Sequence, residues 1–198
     1  MIVVTTPAAS YDLVRLDTVC DALGITDRAE DEQLVQWIKQ ASCAVAKHLN
    51  RVLARETIEE TFRLSTVTES LLLSRYPVSS VVSVTEFDTV LDVADYEVNS
   101  TSGVLTRLSA DAPVCWSAGK IVVSYVAGYA LDDVPDEIAR AVIMLVSQYR
   151  YSAERDPQLR SESTEGAGSS SYFDGLDTGG LSPEVRGLLG DHRKPAGA

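Results

Sequence analysis

The apolar pattern of this chain changes period near residue 52, and that switch constrains the fold more than any other feature. Before it, Leu34, Ile38, Ala41, Val45, Leu49 and Val52 recur at helical spacing. After it, Ile58, Phe62 and Leu64 face one way, and Thr57, Glu59, Thr61 and Arg63 the other, as in a half-buried strand over Thr57–Leu64. Glu60 falls on the apolar side of that strand and is its one discordant residue. Short Val- and Thr-rich strands are predicted at Ser70–Ser74, Val78–Phe87, Tyr96–Val98, Gly103–Leu108 and Lys120–Val126. They lie too close together for crossover helices, so the pattern predicts an antiparallel meander.

Helices flank the strands. Residues 10–23 read as a short one, capped by Ser10, with Leu13, Leu16, Val19, Cys20 and Leu23 at helical spacing and Gly24 past the end. Asp27, with Glu30 three residues on, reads as the capped start of the second helix, which ends at Asn50. Pro135, among Asp132, Asp133, Asp136 and Glu137, marks a third start, because proline and negative charge both suit a helix N-terminus. Ile138, Ala141, Val142, Leu145, Val146 and Tyr149 carry that helix to about residue 153. The fold class is α+β: N-terminal helices, a short antiparallel β-meander, a closing C-terminal helix and an extended tail. The compact domain is expected over residues 1–155 and the tail over 156–198.

The tail changes composition. SESTEGAGSSSYFDGLDTGG is rich in Gly and Ser, and is expected to be flexible or ordered by a partner. Ser182 and Pro183 then open a short amphipathic helix near 183–189, with Leu181, Val185, Leu188 and Leu189 apolar, Arg186 polar, and a basic tip of His192, Arg193 and Lys194. A helix so short is marginal alone in water.

Lys and Arg number 17 against 29 Asp and Glu, a formal charge of -12. That balance argues against unaided binding to a phosphate backbone, although it suits a pore wall that DNA must not stick to. Four of the cations are lysines and 13 are arginines, the residue better fitted to planar interface contacts. No apolar run approaches the roughly 18–20 residues that span a bilayer, and MIVVTTPAAS lacks the basic start of a secretory signal. Cys20, Cys43 and Cys115 are odd in number and far apart, which fits reduced, mostly buried thiols in a cytosolic chain.

Catalytic patterns are sparse, and no catalytic, metal or cofactor-binding residues are assigned. His48 lies beside the apolar stripe of the second helix and His192 in the tail. No Cys/His set has zinc spacing, Gly119-Lys120 lacks the rest of a phosphate-binding loop, and GAGSSS contains no nucleophile elbow. The acids at 132–137 could in principle hydrolyse a cell-wall glycan as a carboxylate pair, but their place around Pro135 reads as helix capping.

Several stretches, in this order, resemble the head–tail connector (adaptor) proteins of tailed bacteriophages and gene transfer agents. They are HLNRVLARET at the end of the second helix, SLLLSRYPVSSVVSVTEFD, Asp95-Tyr96-Glu97-Val98, Gly103-Val104-Leu105, Trp116, IVVSYVAGY at 121–129 and VPDEIARAVIMLVSQYRYSAERD. Arg75-Tyr76-Pro77-Val78, and Val126-Ala127-Gly128-Tyr129 followed by Val134-Pro135, are the most specific of them. The match covers about residues 10–155, and SPEVRGLLGDHRKP is similar to the ends of longer members. Pro77 is expected at a strand start or edge, Gly128 at a turn, and Tyr76, Trp116, Tyr125 and Tyr129 in the core.

The resemblance implies a virion protein, assembled in the bacterial cytoplasm and without enzymatic activity or cofactor. It implies a ring beneath the portal protein, matching a twelvefold portal, that extends the DNA channel without sequence-specific binding and docks a tail or stopper protein. A stopper or tail-completion protein of the same particle is the other virion role of similar build. On this reading Leu181, Val185, Leu188 and Leu189 anchor the tail on the portal, and Arg186, Arg193 and Lys194 pair with portal carboxylates. Removing 182–198 is then expected to abolish portal binding while leaving the domain's thermal unfolding unchanged. The acidic loops 86–97 and 130–137 are the candidates for lining the channel.

Overall fold

The computed structural model describes residues 1–153, 161–164, 168–171 and 181–193. Contacts group the chain into two units, one of Met1–Ser10 with Val52–Ala130, the other of Tyr11–Arg51 with the chain from Leu131 onward.

The first unit is all β. It contains β1 (Ile2–Thr6), β2 (Glu56–Leu64), β3 (Ser70–Leu72), β4 (Val78–Glu86), β5 (Thr89–Val90), β6 (Tyr96–Asn99), β7 (Val104–Ser109), β8 (Ala112–Val114) and β9 (Gly119–Ala127). Five strands form a sheet in the order β1-β2-β9-β4-β5, and β3, β6 and β8 gather around β7 in a second sheet. Every strand pair is antiparallel, as the spacing predicts. Strands β6, β7 and β8 form a simple meander, whereas β9 returns to lie between β2 and β4. Its sequence explains that central place, because Ile121, Val123, Tyr125 and Ala127 alternate into the core with Val84, Leu105 and Trp116.

Two turns in this unit went unread in the sequence. Phe87-Asp88 and Ala110-Asp111 all have positive φ, between 48 and 64°, and close the β4–β5 and β7–β8 hairpins. That conformation is ordinarily announced by Asn-Gly or Asp-Gly, so β5 and β8 were not foreseen; neither was β1. Pro77 does immediately precede β4, after a cis Tyr76–Pro77 bond. Gly128 turns the chain at φ 95°, where a Cβ would run into the Ala54 carbonyl. Trp116 and Tyr125 are fully buried, while Tyr76 and Tyr129 are half-buried.

The second unit is helical, with α1 (Leu16–Leu23), α2 (Asp31–Leu49), α3 (Asp136–Ala153) and α4 (Pro183–Leu189). Leu34, Ile38, Ala41, Val45 and Leu49 of α2 are buried, as are Ile138, Ala141, Val142, Leu145 and Val146 of α3. Asn50 ends α2 in the left-handed conformation at φ 54°. Two expected starts are corrected. Helix α1 begins at Leu16 rather than at residue 10, because Leu13 donates its backbone N–H to the Ser42 hydroxyl instead of entering the helix. Helix α2 begins at Asp31, since Asp27 accepts from the Ala29 N–H in a local turn.

The thiol expectation is corrected as well: Cys20 is buried, but Cys43 and Cys115 are exposed. In the tail, Ser161–Thr164 and Gly168–Ser171 pair as an antiparallel hairpin, β10 and β11. No helix among the described residues is long and apolar enough to cross a membrane.

Candidate functional site

The residues singled out for partner contact lie on and around α4, and the sequence explains why a helix forms there. Ser182 caps it by accepting from the Val185 N–H at 3.3 Å, and Pro183 occupies the first turn, where its missing N–H costs nothing. A seven-residue helix does not persist by itself in water. Its stability comes from α3, against which it packs.

Leu181 is 3% exposed, and Val185 and Leu189 are wholly buried. These three expected anchors therefore have a partner within their own chain. Leu188 is half-buried, and Arg186 and Arg193 are exposed. Lys194 lies outside the described residues. Leu181, Val185 and Leu189 thus add to the buried face of the helical unit, so removing 182–198 would take apolar contacts from α3.

Polar contacts fasten the same piece. Gln148 of α3 donates to the Ser182 hydroxyl at 3.3 Å. Arg51, just past α2, donates to the His192 carbonyl at 3.4 Å. His192 stands 3.7 Å from the Glu137 carboxylate at the start of α3. Arg51 and Gln148 were not foreseen as site residues, and Glu137 was read only as a helix-start acid and channel-loop candidate, because nothing in a single sequence links positions so far apart. His48, half-buried near the end of α2, is held below its ordinary pKa by burial and by the nearby Arg193 and Arg186 guanidinium groups.

Several loop acids proposed for the channel already have partners. Glu86 accepts from Arg107 at 3.3 Å and from the Ser117 N–H at 3.3 Å, and Asp95 also pairs with Arg107, at 3.7 Å. Asp132 takes a two-pronged contact from Arg15, with both distances 2.8 Å, and that guanidinium holds its carboxyl below the usual range. Glu137 faces His192. The 132–137 carboxylates thus start a helix and seat neighbouring elements, instead of converging on a shared cleft. Among the described residues no group of His, Cys, Asp and Glu is placed to hold a metal.

A buried acid network lies in the sheet unit. Glu60, 4% exposed, accepts from the Tyr125 hydroxyl at 2.8 Å, the Ser74 hydroxyl at 2.5 Å and the Ser74 N–H at 3.0 Å. The discord that Glu60 introduces into the β2 pattern is thus answered by three donors, and the Tyr125 hydroxyl is pushed upward in pKa by burial and by the adjacent carboxylate.

Polar side chains are used in this way to seat helices and pin strands within the chain. The chain belongs to the head completion protein family, whose model matches residues 12–195. Membership makes it a structural, non-catalytic protein. Its fold is similar to that of chains in three gene transfer agent (GTA) particle structures, each 17% identical and each alignment covering 100% of this chain and 98% of the other. The TM-score is 0.61 for the neck of an empty particle computed with C6 symmetry, 0.60 for the neck of a native particle computed with C12 symmetry and 0.62 for a native virion. A comparison with curated proteins gives no significant match.

Proposed function

We propose that this chain is the head–tail adaptor of a phage or phage-like particle. It forms a ring beneath the portal, extends the DNA channel and presents the surface on which the tail or stopper docks. The observation that carries this reading is the head completion family match over nearly the whole chain, supported by a fold shared end to end with neck proteins of gene transfer agents. The acidic surface accords with a channel that DNA passes without adhering.

The C-terminal segment is the portal-facing element. Leu181, Val185 and Leu189 are committed to α3, so portal contact falls to the outward edge at Leu188 and to the basic end at Arg193 and Lys194. Arg193 is exposed and suited to carboxylates on a partner.

Particles made without this protein test the role. DNA-filled heads and separate tails should accumulate, and adding the purified chain should join them. Normal tailed particles in its absence would remove the adaptor reading.

A further inference from the structure

The five-stranded sheet ends on two unlike edges. One is β5, two residues long and set between Asp88 and Asp92. The other outer strands of the unit are guarded in similar ways: β3 and β8 have three residues each, β8 contains Pro113, and β6 carries an exposed Glu97. Shortness, charge and proline keep a sheet edge from recruiting further strands. Strand β1 has none of these guards. Met1 to Thr6 carry no charged side chain, and Ile2, Val3 and Val4 are 37, 43 and 39% exposed.

The pairing of β1 identifies its open main-chain groups. Met1 and Thr61 exchange two hydrogen bonds, each 2.8 Å. Every second residue of an antiparallel pair makes such an exchange, so Val3 is engaged with Glu59, its partner in register. Ile2 and Val4 therefore turn their N–H and C=O groups away from β2. The register shifts between Val4 and Thr6, where the Thr5 hydroxyl donates to the Thr57 carbonyl at 3.0 Å. Pro7 follows with no N–H to offer, which closes the row. Ile2 and Val4 lie opposite Glu60 and Ile58 on the core side of the sheet, and Val3 lies with exposed Glu59 on the other side.

This edge also specifies its occupant. Outward N–H and C=O groups in a row are matched by another extended backbone, and Ile2, Val3 and Val4 favour β-branched neighbours within it. Exposed Glu59, in a chain with a formal charge of -12, disfavours acids there. A further copy of the chain cannot continue the sheet in a head-to-tail array, because its opposite edge is the two-residue, acid-flanked β5.

We infer that the Ile2–Val4 edge of β1 receives an extended, β-branched segment without acidic residues from the tail-side partner protein, which adds to the sheet as a strand beside β1. The inference deepens the adaptor reading and rests on it for the partner: portal contact is given to the C-terminal segment, and the tail-side contact has had no residues assigned to it. So short a pairing is weak by itself, and a ring offering one edge per copy makes it effective.

The test joins purified tails to DNA-filled heads carrying the full-length chain, with joined particles counted by electron microscopy. Val4→Pro removes one outward N–H and leaves the bonds to β2 in place. Val4→Lys keeps every main-chain group and puts a charge on the edge. Val82→Lys, on β4 and 61% exposed, is the control. Both Val4 variants should load the portal ring and melt like wild type, yet need at least about tenfold more protein to join tails, one decade in an equilibrium constant; the control should join normally. Where Val4→Pro lowers the melting midpoint, Val4→Lys decides. Val4 variants that join tails like wild type would overturn the inference and leave the adaptor reading intact. Loss of portal loading at an unchanged melt would give the edge to the portal, and a wild-type dimer that Val4→Lys makes monomeric in sedimentation would give it to a second copy; either result overturns the inference. A wild type that joins no heads to tails would remove the adaptor reading itself.

Discussion

The Tyr125 hydroxyl donates to the Glu60 carboxylate at 2.8 Å, inside a sheet where both side chains are buried. The two residues sit on adjacent central strands, β2 and β9, and the carboxylate reaches on to Ser74, beyond β3. One acid therefore ties three segments together. Tyr125→Phe takes one donor from a buried carboxylate, and should cost about 1–3 kcal/mol. Urea unfolding should show a lower midpoint at unchanged slope; an unchanged midpoint would mean the network contributes nothing.

Leu189 is wholly buried between α4 and the rest of the helical unit, and Arg186 of the same helix is exposed. Leu189→Ala should cost about 2–4 kcal/mol through lost burial and the cavity left behind. Arg186→Ala should stay within about 0.5 kcal/mol. Deleting 182–198 should lower the thermal midpoint. A truncated chain that melts like the full one would mean that α4 is detached in solution.

Two glycines give opposite outcomes. At Gly128 a Cβ meets the Ala54 carbonyl and φ is 95°, whereas Gly187 in α4 has nothing within 4 Å. Gly128→Ala should destabilise by well over about 1 kcal/mol, while Gly187→Ala should stabilise by about 0.5–1 kcal/mol through helix propensity. Paired thermal melts check both signs.

These positions show what the sequence made legible. The Val-Ala-Gly-Tyr stretch marked Gly128 as a turn, but only the fold reveals the backbone packed against it. Long periodic helices were read well because α2 and α3 bury one continuous stripe each. Strands β5 and β8 escaped because their turns use Phe87-Asp88 and Ala110-Asp111, without the glycine that ordinarily announces such turns. Strand β1 escaped because all five of its residues are exposed, so no alternation betrays it. In the site, the amphipathic spacing of Leu181, Val185 and Leu189 announced a buried face truthfully. It could not say that the covering surface is the chain's own α3.

His48 supplies a pH-dependent check. Burial, then Arg193 and Arg186, hold its pKa below the ordinary 6.5. The unfolded chain takes up the proton more readily, so His48's contribution is complete above about 6.5 and stability declines as pH falls below that value. Its ring proton followed by NMR should titrate below the ordinary histidine value, and Arg186→Ala or Arg193→Ala should raise it. An unmoved titration would place those arginines away from His48.

The adaptor claim itself is tested most directly by solution mass, from light scattering after size exclusion, with and without the portal of the same particle. The account predicts a monomer at micromolar concentration that co-elutes with the portal ring at one copy per portal subunit. A portal ring that elutes without it would contradict the claim and move the chain to a stopper or tail-completion position further from the head.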